Sequence, residues 1–333
     1  MVMIETSIHN TLLAQGVVQP GKLKVTPLSG GVSCEILLLE QNNKSVVLKR
    51  ALGKLKVKDD WYADVARNKV EQQYLQYVHA FLPGVVPQIY YSNDDLHFFV
   101  MELLGGELEN WKTRLLAACY DKNYAHAAGE VLGKIHRHSL GDRDAQAMFS
   151  TLENFRQLRI EPYLLKTAER NPDLAEFITG QARRIESNER CLVHGDYSPK
   201  NILVSPKRLV VLDCEVAWYG DPVFDVAFFL NHFLLKAARK PEDKHELIEL
   251  ASTAWSAYVS EAGAVVDESF EKHLCALLPI LMLARVDGKS PVEYLSMRAQ
   301  VTVKSFVYEL LLKQNISELN VLLQLWQSAL KGK

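Results

Sequence analysis

The run His194-Gly195-Asp196-Tyr197-Ser198-Pro199-Lys200-Asn201 sets an aspartate five residues ahead of an asparagine, and Asp213 follows Asp196 by seventeen residues in Leu212-Asp213-Cys214-Glu215. One carboxylate able to accept a proton, with an amide and a second carboxylate able to hold a divalent cation by oxygen, is what phosphoryl transfer requires. A lone Asp-x4-Asn is ordinarily a turn, because both side chains hydrogen-bond their own backbone. Here the flanking residues are β-type. Leu192-Val193 closes one strand, Ile202-Leu203-Val204 opens the next, and Leu209 to Leu212 returns after the turn Ser205-Pro206-Lys207-Arg208. The residues between Val193 and Asn201 must then form a tight loop, fixed in part by Pro199. The hairpin after it carries Asp213 back toward Asn201, so that both could reach one Mg²⁺.

The elements that must position this loop fall into two groups. Glu35 to Glu40 and Ser45 to Lys49 read as a hairpin about the polar turn Gln41 to Lys44. Val70, Tyr74, Tyr77, Val78 and Phe81 recur at helical spacing and predict an amphipathic helix over about Trp61 to Phe81, ended by Pro83-Gly84. Val86 to Tyr91 and His97 to Met101 form a second strand pair. After Gly105-Gly106 helical periodicity takes over: Ala128, Val131, Leu132 and Ile135 share one face, Leu247, Leu250, Ala251, Ala254 and Tyr258 another, and Val321 to Leu330 is helical. A sheet-rich part, a glycine joint and a helix-rich part with one embedded hairpin predict two lobes with a cleft between them.

The loop resembles the catalytic loop of the aminoglycoside phosphotransferase and choline kinase family, distant relatives of the protein kinases, where HGD is followed by Asn at this spacing and then by a D-x-E or similar stop. The resemblance implies that Asp196 positions and deprotonates an acceptor hydroxyl, that Asn201 and Asp213 bind Mg²⁺, and that His194 is a structural member of the loop. Leu28 to Ser33 is similar to the family's SGG-type loop, which implies that Ser29, Gly30, Gly31 and Ser33 meet nucleotide phosphates. Lys49 falls where the family's phosphate-binding lysine stands, and Glu71 where its carboxylate partner stands, with Asp64 on the same helix as the competing choice. Phe99 to Gly106 is similar to the kinase hinge, which implies adenine contacts to the Glu102 carbonyl and the Leu104 amide. In Gly220-Asp221-Pro222-Val223-Phe224-Asp225-Val226-Ala227 the matching Asp225 braces the catalytic loop, and a carboxylate there also suits a helix start. Glu215 stays open between assisting metal or substrate and capping. Motifs are recognisable from about Lys24 to Leu235.

The fold so implied is α+β and protein-kinase-like: a small antiparallel-sheet lobe over residues 1–101, a hinge at 102–106, and a mainly helical lobe over 107–333 with the catalytic loop and acceptor pocket. The function implied is ATP-dependent transfer of the γ-phosphoryl group to a hydroxyl of a small molecule, a metabolite or an aminoglycoside-like compound. Two alternatives remain: a nucleotide-binding regulatory module without turnover, and a protein-directed kinase. Ser198, where kinases acting on Ser or Thr carry Lys, and the short stretch between Asp213 and Asp225 both speak against a regulated protein kinase. A polycationic aminoglycoside would want an acidic pocket. The sequence ends Leu330-Lys331-Gly332-Lys333 without an acidic cluster, which favours a metabolite; choline, methylthioribose, homoserine and fructosamine-type amines stay unranked.

Other features narrow the classes. His136 and His138, two apart on a helix, cannot share a face and are read as core rather than as metal ligands. Asp287-Gly288-Lys289-Ser290 has the tail of a phosphate-binding P-loop, but Leu283 replaces the required glycine, so that reading is rejected. Pro291 and Glu293 suggest an ordered loop bordering the acceptor pocket. A formal net charge of −2 gives no reason to expect nucleic acid or a membrane surface as partner. Five scattered cysteines without a CxxC pair suit reduced thiols in the cytoplasm. The chain starts without a leader-like apolar run, and its longest apolar stretch, Leu274 to Ala284, is interrupted by Pro279 and far short of a membrane span.

Overall fold

The computed structural model describes residues 4–28, 34–51 and 67–330. Its chain divides into two compact units, Met1–Leu108 with Val210–Glu215, and Glu109–Leu209 with Val216–Lys333. Ser29, Gly30, Gly31 and Ser33 lie outside the described residues, as do Asp64 and the expected helix start over 61–66.

The first unit begins with helix α1 (Thr6–Ala14) and holds strands β1 (Lys24–Pro27), β2 (Cys34–Gln41) and β3 (Lys44–Ala51), helix α2 (Arg67–Phe81), and strands β4 (Ile89–Asn93) and β5 (Phe98–Glu102). The sheet is antiparallel in the order β1-β2-β3-β5-β4. Asn42 and Asn43 turn β2 into β3 with φ of 50° and 62°, the left-handed pair that a two-residue hairpin needs and that Asn tolerates. Strand alternation then sorts the side chains. Leu37, Leu39, Leu48, Phe98 and Val100 form one core with Ile8, Leu12 and Val18 of the α1 segment. Lys49, one residue beyond Leu48, points to the opposite face, and α2 supplies its partner there. Neither α1 nor β1 was expected from the sequence.

The second unit contains β6 (Glu109–Asn110), α3 (Trp111–Leu116), α4 (Lys122–Ser139), α5 (Arg143–Met148), α6 (Leu152–Phe155), a widened π-helical stretch (Arg156–Leu165), α7 (Lys166–Arg170) and α8 (Ala175–Glu186). Strands β7 (Cys191–Val193) and β8 (Ile202–Val204) flank the loop over residues 194–201, and the chain passes between units along β9 (Leu209–Val211). Strand β10 (Trp218–Gly220) pairs antiparallel with β7, Trp218 opposite Val193. Helices α9 (Val223–Arg239), α10 (Lys244–Ala262), α11 (Phe270–Asp287), α12 (Met297–Lys313) and α13 (Leu319–Ala329) complete it. Every α9 residue except Arg239 is buried, which makes this helix the axis of the unit. The architecture is the α+β, protein-kinase-like two-lobe fold expected from the sequence: a small antiparallel sheet with its helices, and a larger, mostly helical unit. Among the described residues no helix is long and apolar enough to cross a membrane.

Helices α4 and α10 touch through glycine. A Cβ built at Gly129 would lie 2.1 Å from the Ala254 carbonyl oxygen, and one at Gly133 would lie 2.8 Å from that of Tyr258. These two glycines, one helical turn apart, let the backbones approach too closely for any side chain. Gly180 in α8 has nothing within 4 Å of the same construction. Gly129→Ala should therefore lower stability by about 1–3 kcal/mol through overpacking. Gly180→Ala should raise it by roughly 0.5–1 kcal/mol through reduced chain entropy. Denaturant midpoints of the two variants, read against wild type, check both signs.

Candidate active site

Two groups of side chains, one in each unit, hold the residues singled out above. In the first unit Lys49 Nζ lies 2.7 Å from Glu71 Oε1 and 3.3 Å from Asp213 Oδ1. Lys49 and Glu71 are buried, while about a third of the Asp213 side chain is exposed. Burial alone would discharge the lysine. The negative charges of Glu71 and Asp213 outweigh it and keep the ammonium protonated well above the usual lysine range. Glu71 is pushed the other way: burial raises its carboxyl to about 7 against the pull of Lys49, with Asp213 adding to the rise. One ammonium thus faces two carboxylates, and Asp213 is the one solvent can reach. Asp213 also has φ of 61°, a left-handed conformation uncommon for a residue with a side chain and costly unless its surroundings impose it. Glu215, left open by the sequence, lies 3.7 Å from Arg67 Nε.

The expected hinge positions are less defined. Glu102 closes β5, and its amide donates to the Gln88 carbonyl at 2.9 Å, while its Oε2 accepts from the Gln88 amide at 3.3 Å. Leu104 is half-buried just past the strand.

In the second unit the loop after β7 is built around Asp225. Its Oδ2 accepts from the His194 amide at 2.6 Å and its Oδ1 from the Gly195 amide at 2.9 Å. His136 Nε2 lies 3.3 Å from Oδ2, and its Nδ1 lies 2.9 Å from the Tyr258 hydroxyl. A carboxylate accepts, so the Nε2 side of the ring carries a proton toward Asp225. Burial pushes the Tyr258 phenol well up, which keeps its hydroxyl protonated. His136 is fully buried, a core histidine as expected, whereas His138, read the same way from the sequence, is exposed. Gly195 has φ of 76°, and a Cβ there would meet the Val216 carbonyl oxygen at 2.7 Å, so glycine is required twice over. The start of α9 is capped by Asp221, whose Oδ1 accepts from the Val223 amide at 2.9 Å, which leaves Asp225 for the loop. Asp225 thus braces the loop, as the resemblance implied, while the helix start it also suited is capped by Asp221.

Asp196 emerges from this frame. Its amide donates to His194 Nδ1 at 3.1 Å, and its Oδ2 lies 3.2 Å from Arg159 Nη2. Arg159 also donates through Nε to the Gly195 carbonyl, and its guanidinium lies over the rings of Tyr163 and Phe228, 5.8 Å from each centroid. Asn201 ends a single 3₁₀ turn begun by Pro199, and its Nδ2 donates to the Asp196 carbonyl at 3.1 Å. That bond commits the amide nitrogen and leaves Oδ1, a hard oxygen donor, for another partner. Arg159 was missed from the sequence. It sits in the π-helical stretch, where the widened turn changes which side chains face one way, and helical periodicity does not reveal that.

The rejected P-loop reading also has a structural answer. Gly288 packs where a Cβ would meet the Ala284 carbonyl oxygen at 2.3 Å, and Lys289 donates its amide to the Pro162 carbonyl at 2.9 Å. This is a tight helix end rather than a phosphate cradle. Cys34, Cys119, Cys191, Cys214 and Cys275 are all free thiols, and only Cys119 is exposed.

A sequence model of the phosphotransferase enzyme family matches residues 24–276. The chain therefore belongs to that family. It is 25% identical over 260 residues to a methylthioribose kinase of Bacillus velezensis, covering 70% of this chain and 65% of that one. A methylthioribose kinase of Geobacillus sp. is 23% identical over 236 residues, 62% of this chain and 58% of the relative. The chain thus spans less than two thirds of the length of these curated relatives. Among solved structures, an amicoumacin kinase in complex with AMP-PNP, Ca²⁺ and Ami superposes with a TM-score of 0.56 at 15% identity, covering 92% of this chain and 95% of that one. A choline kinase of Cryptosporidium parvum Iowa II superposes with a TM-score of 0.54 at 14% identity, with coverage of 96% and 100%. At such identities the likeness concerns the fold.

Asp225→Asn removes one of two carboxylate oxygens and turns an amide donor against a backbone donor. The variant should lose roughly 1–3 kcal/mol, the cost of one unsatisfied buried group. Urea unfolding measures the loss, and faster hydrogen exchange of the His194 or Gly195 amide should accompany it.

Proposed function

We propose that this protein transfers the γ-phosphoryl group of ATP to a hydroxyl group of a small molecule. The observation that carries the reading is the buried Lys49–Glu71 pair with Asp213 at 3.3 Å, an ammonium held rigid and charged beside a half-buried carboxylate. Such an arrangement has the chemistry to receive polyphosphate and a divalent cation together. Family membership and the methylthioribose kinases among its relatives support the same reading.

In the proposed reaction the acceptor oxygen attacks the γ-phosphorus while the bond to the β,γ-bridging oxygen breaks. ADP departs with that electron pair. Asp196 accepts the hydroxyl proton, and Arg159 on Oδ2 fixes the carboxylate so that Oδ1 is presented to the hydroxyl. Lys49 neutralises charge on the nucleotide phosphates, and Glu71 keeps it from swinging into solvent. Ser29, Gly30, Gly31 and Ser33 are proposed to meet the phosphates, and the Glu102 carbonyl and Leu104 amide to meet adenine. Asn201 and Asp213 are the proposed Mg²⁺ ligands; their uncommitted amide oxygen and solvent-reached carboxylate fit a hard cation. Bound there, Mg²⁺ would offset the negative charge of the transferring group. Free thiols and the absence of an apolar spanning helix among the described residues favour a cytoplasmic enzyme.

Asp196→Asn should leave ATP affinity within a few-fold of wild type and lower turnover by about 10²–10⁴-fold, the contribution of a positioned base. Magnesium-dependent ADP release across a panel of hydroxylated metabolites and aminoglycosides reads the effect. Near-normal turnover in this variant would remove Asp196 from its assigned role.

A further inference from the structure

Helix α9 is buried but for Arg239, and one stripe along it is not explained by its packing. Phe228, His232 and Lys236 recur every four residues and lie along one face. His232 is 9% exposed and Lys236 only 3%. Lys236 Nζ meets the carbonyl oxygen of His232 at 3.3 Å and lies over the Tyr294 ring, 5.4 Å from its centroid. Among the described residues no carboxylate pairs with it. His232 packs edge-on against Phe228, 5.5 Å between centroids, and its Nε2 has no hydrogen-bond partner. The Tyr294 hydroxyl and Arg285 Nε, on the segments beside it, are buried without partners as well.

A buried cation without a counter-ion is expensive, and natural chains retain one only where something compensates. The surroundings make this one more costly still. The positive charges of Lys112 and Arg285 act on both His232 and Lys236, that of Lys200 on His232 and that of Arg239 on Lys236. The one carboxylate acting on Lys236, Glu293, is 2.7 Å from Lys112 and so already neutralised. The stripe leads to the reacting carboxylate: Arg159, paired with Asp196, lies over Phe228, and Lys236 is ~12 Å further along the helix at 1.5 Å per residue.

We propose that the phosphoryl acceptor carries a negatively charged group, a carboxylate or phosphate, and that Lys236 and His232 receive it while its hydroxyl is held at Asp196. This rests on the phosphotransferase reading and narrows its substrate class. It sets the site apart from one built for a polycation, whose binding would require acidic walls. An anion here gains a charge-assisted bond in a dry setting and supplies the counter-charge the stripe lacks. Burial together with the Lys112 and Arg285 charges pushes the Lys236 ammonium down to about 7, so it loses its proton as pH rises through neutrality. His232 is pushed well below its usual range and stays neutral there, contributing an N–H rather than a charge.

The test uses gluconate, glucitol, glucosamine, methylthioribose and glycerol phosphate as probes. ADP release measures turnover, and calorimetry measures binding, for wild type and for Lys236→Met. The expected result is that gluconate or glycerol phosphate is bound and phosphorylated in preference to its neutral counterparts. Lys236→Met should weaken that binding by about 10- to 100-fold. It should also raise the thermal midpoint of the unliganded protein, because a buried unpaired charge is gone. Wild-type affinity for the anion should also fall above about pH 7, by at most tenfold per unit, and the variant should show no such fall. Neutral or cationic alcohols turned over with anions ignored would overturn the inference and leave the phosphotransferase reading intact. Anion binding equal in wild type and Lys236→Met would overturn it too. Lysine-dependent anion binding without ADP from any probe would support the subsite and count against phosphoryl transfer.

Discussion

The loop over residues 194–201 depends on one buried carboxylate. Asp225 gathers the amides of His194 and Gly195 and the ring of His136, three donors that have no other way of being satisfied in a dry interior. Without that acceptor the sharp turn at Gly195 loses two of its backbone hydrogen bonds, which loosens the backbone that presents Asp196. The same constraint reaches outward. His136 ties the loop to Tyr258 of α10, and the glycine contacts of α4 bring those helices close enough for the bond to form. Tyr197, fully buried, adds a second tie through the Ala128 carbonyl at 2.8 Å.

Charge is arranged differently in the two units. In the first, two carboxylates face one lysine, and the surplus is negative and partly exposed. In the second, Arg159 offsets Asp196, and beyond it along α9 the surplus is positive and buried. An excess of either sign inside a protein is costly unless a ligand of the other sign completes it. A divalent cation suits the former and an anion the latter, so both requirements point outside the chain. A nucleotide with its metal and an acidic acceptor would satisfy both.

Much of this was legible in the sequence because local rules act on few residues. Strand alternation and a two-asparagine turn gave β2 and β3, and helical spacing gave α4, α10 and α13. The run His194 to Asn201 stood out because its residue types recur at a fixed spacing in the family it resembles, and the structure shows that the backbone demands glycine at Gly195. What escaped notice was decided by contacts between distant segments. Helix α1 carries only Ile8 and Leu12 as buried anchors and is stabilised by the sheet it covers. Strand β10 exists because Trp218 to Gly220 finds β7, and nothing in three residues reveals that. That Asp221 caps α9 while Asp225 braces the loop depends on where the His194 and Gly195 amides lie. Arg159 and the His232–Lys236 stripe were invisible for a related reason: a charged residue on an apolar helix reads as an interruption until its surroundings are known.

The most direct measurement is ³¹P NMR of ATP incubated with Mg²⁺, the protein and hydroxylated small molecules, following the γ-phosphorus itself. A phosphomonoester resonance should grow in step with ADP and should be lost when Asp196 is replaced. ATP that binds but yields no phosphomonoester with any acceptor, or that gives only inorganic phosphate, would contradict a small-molecule kinase.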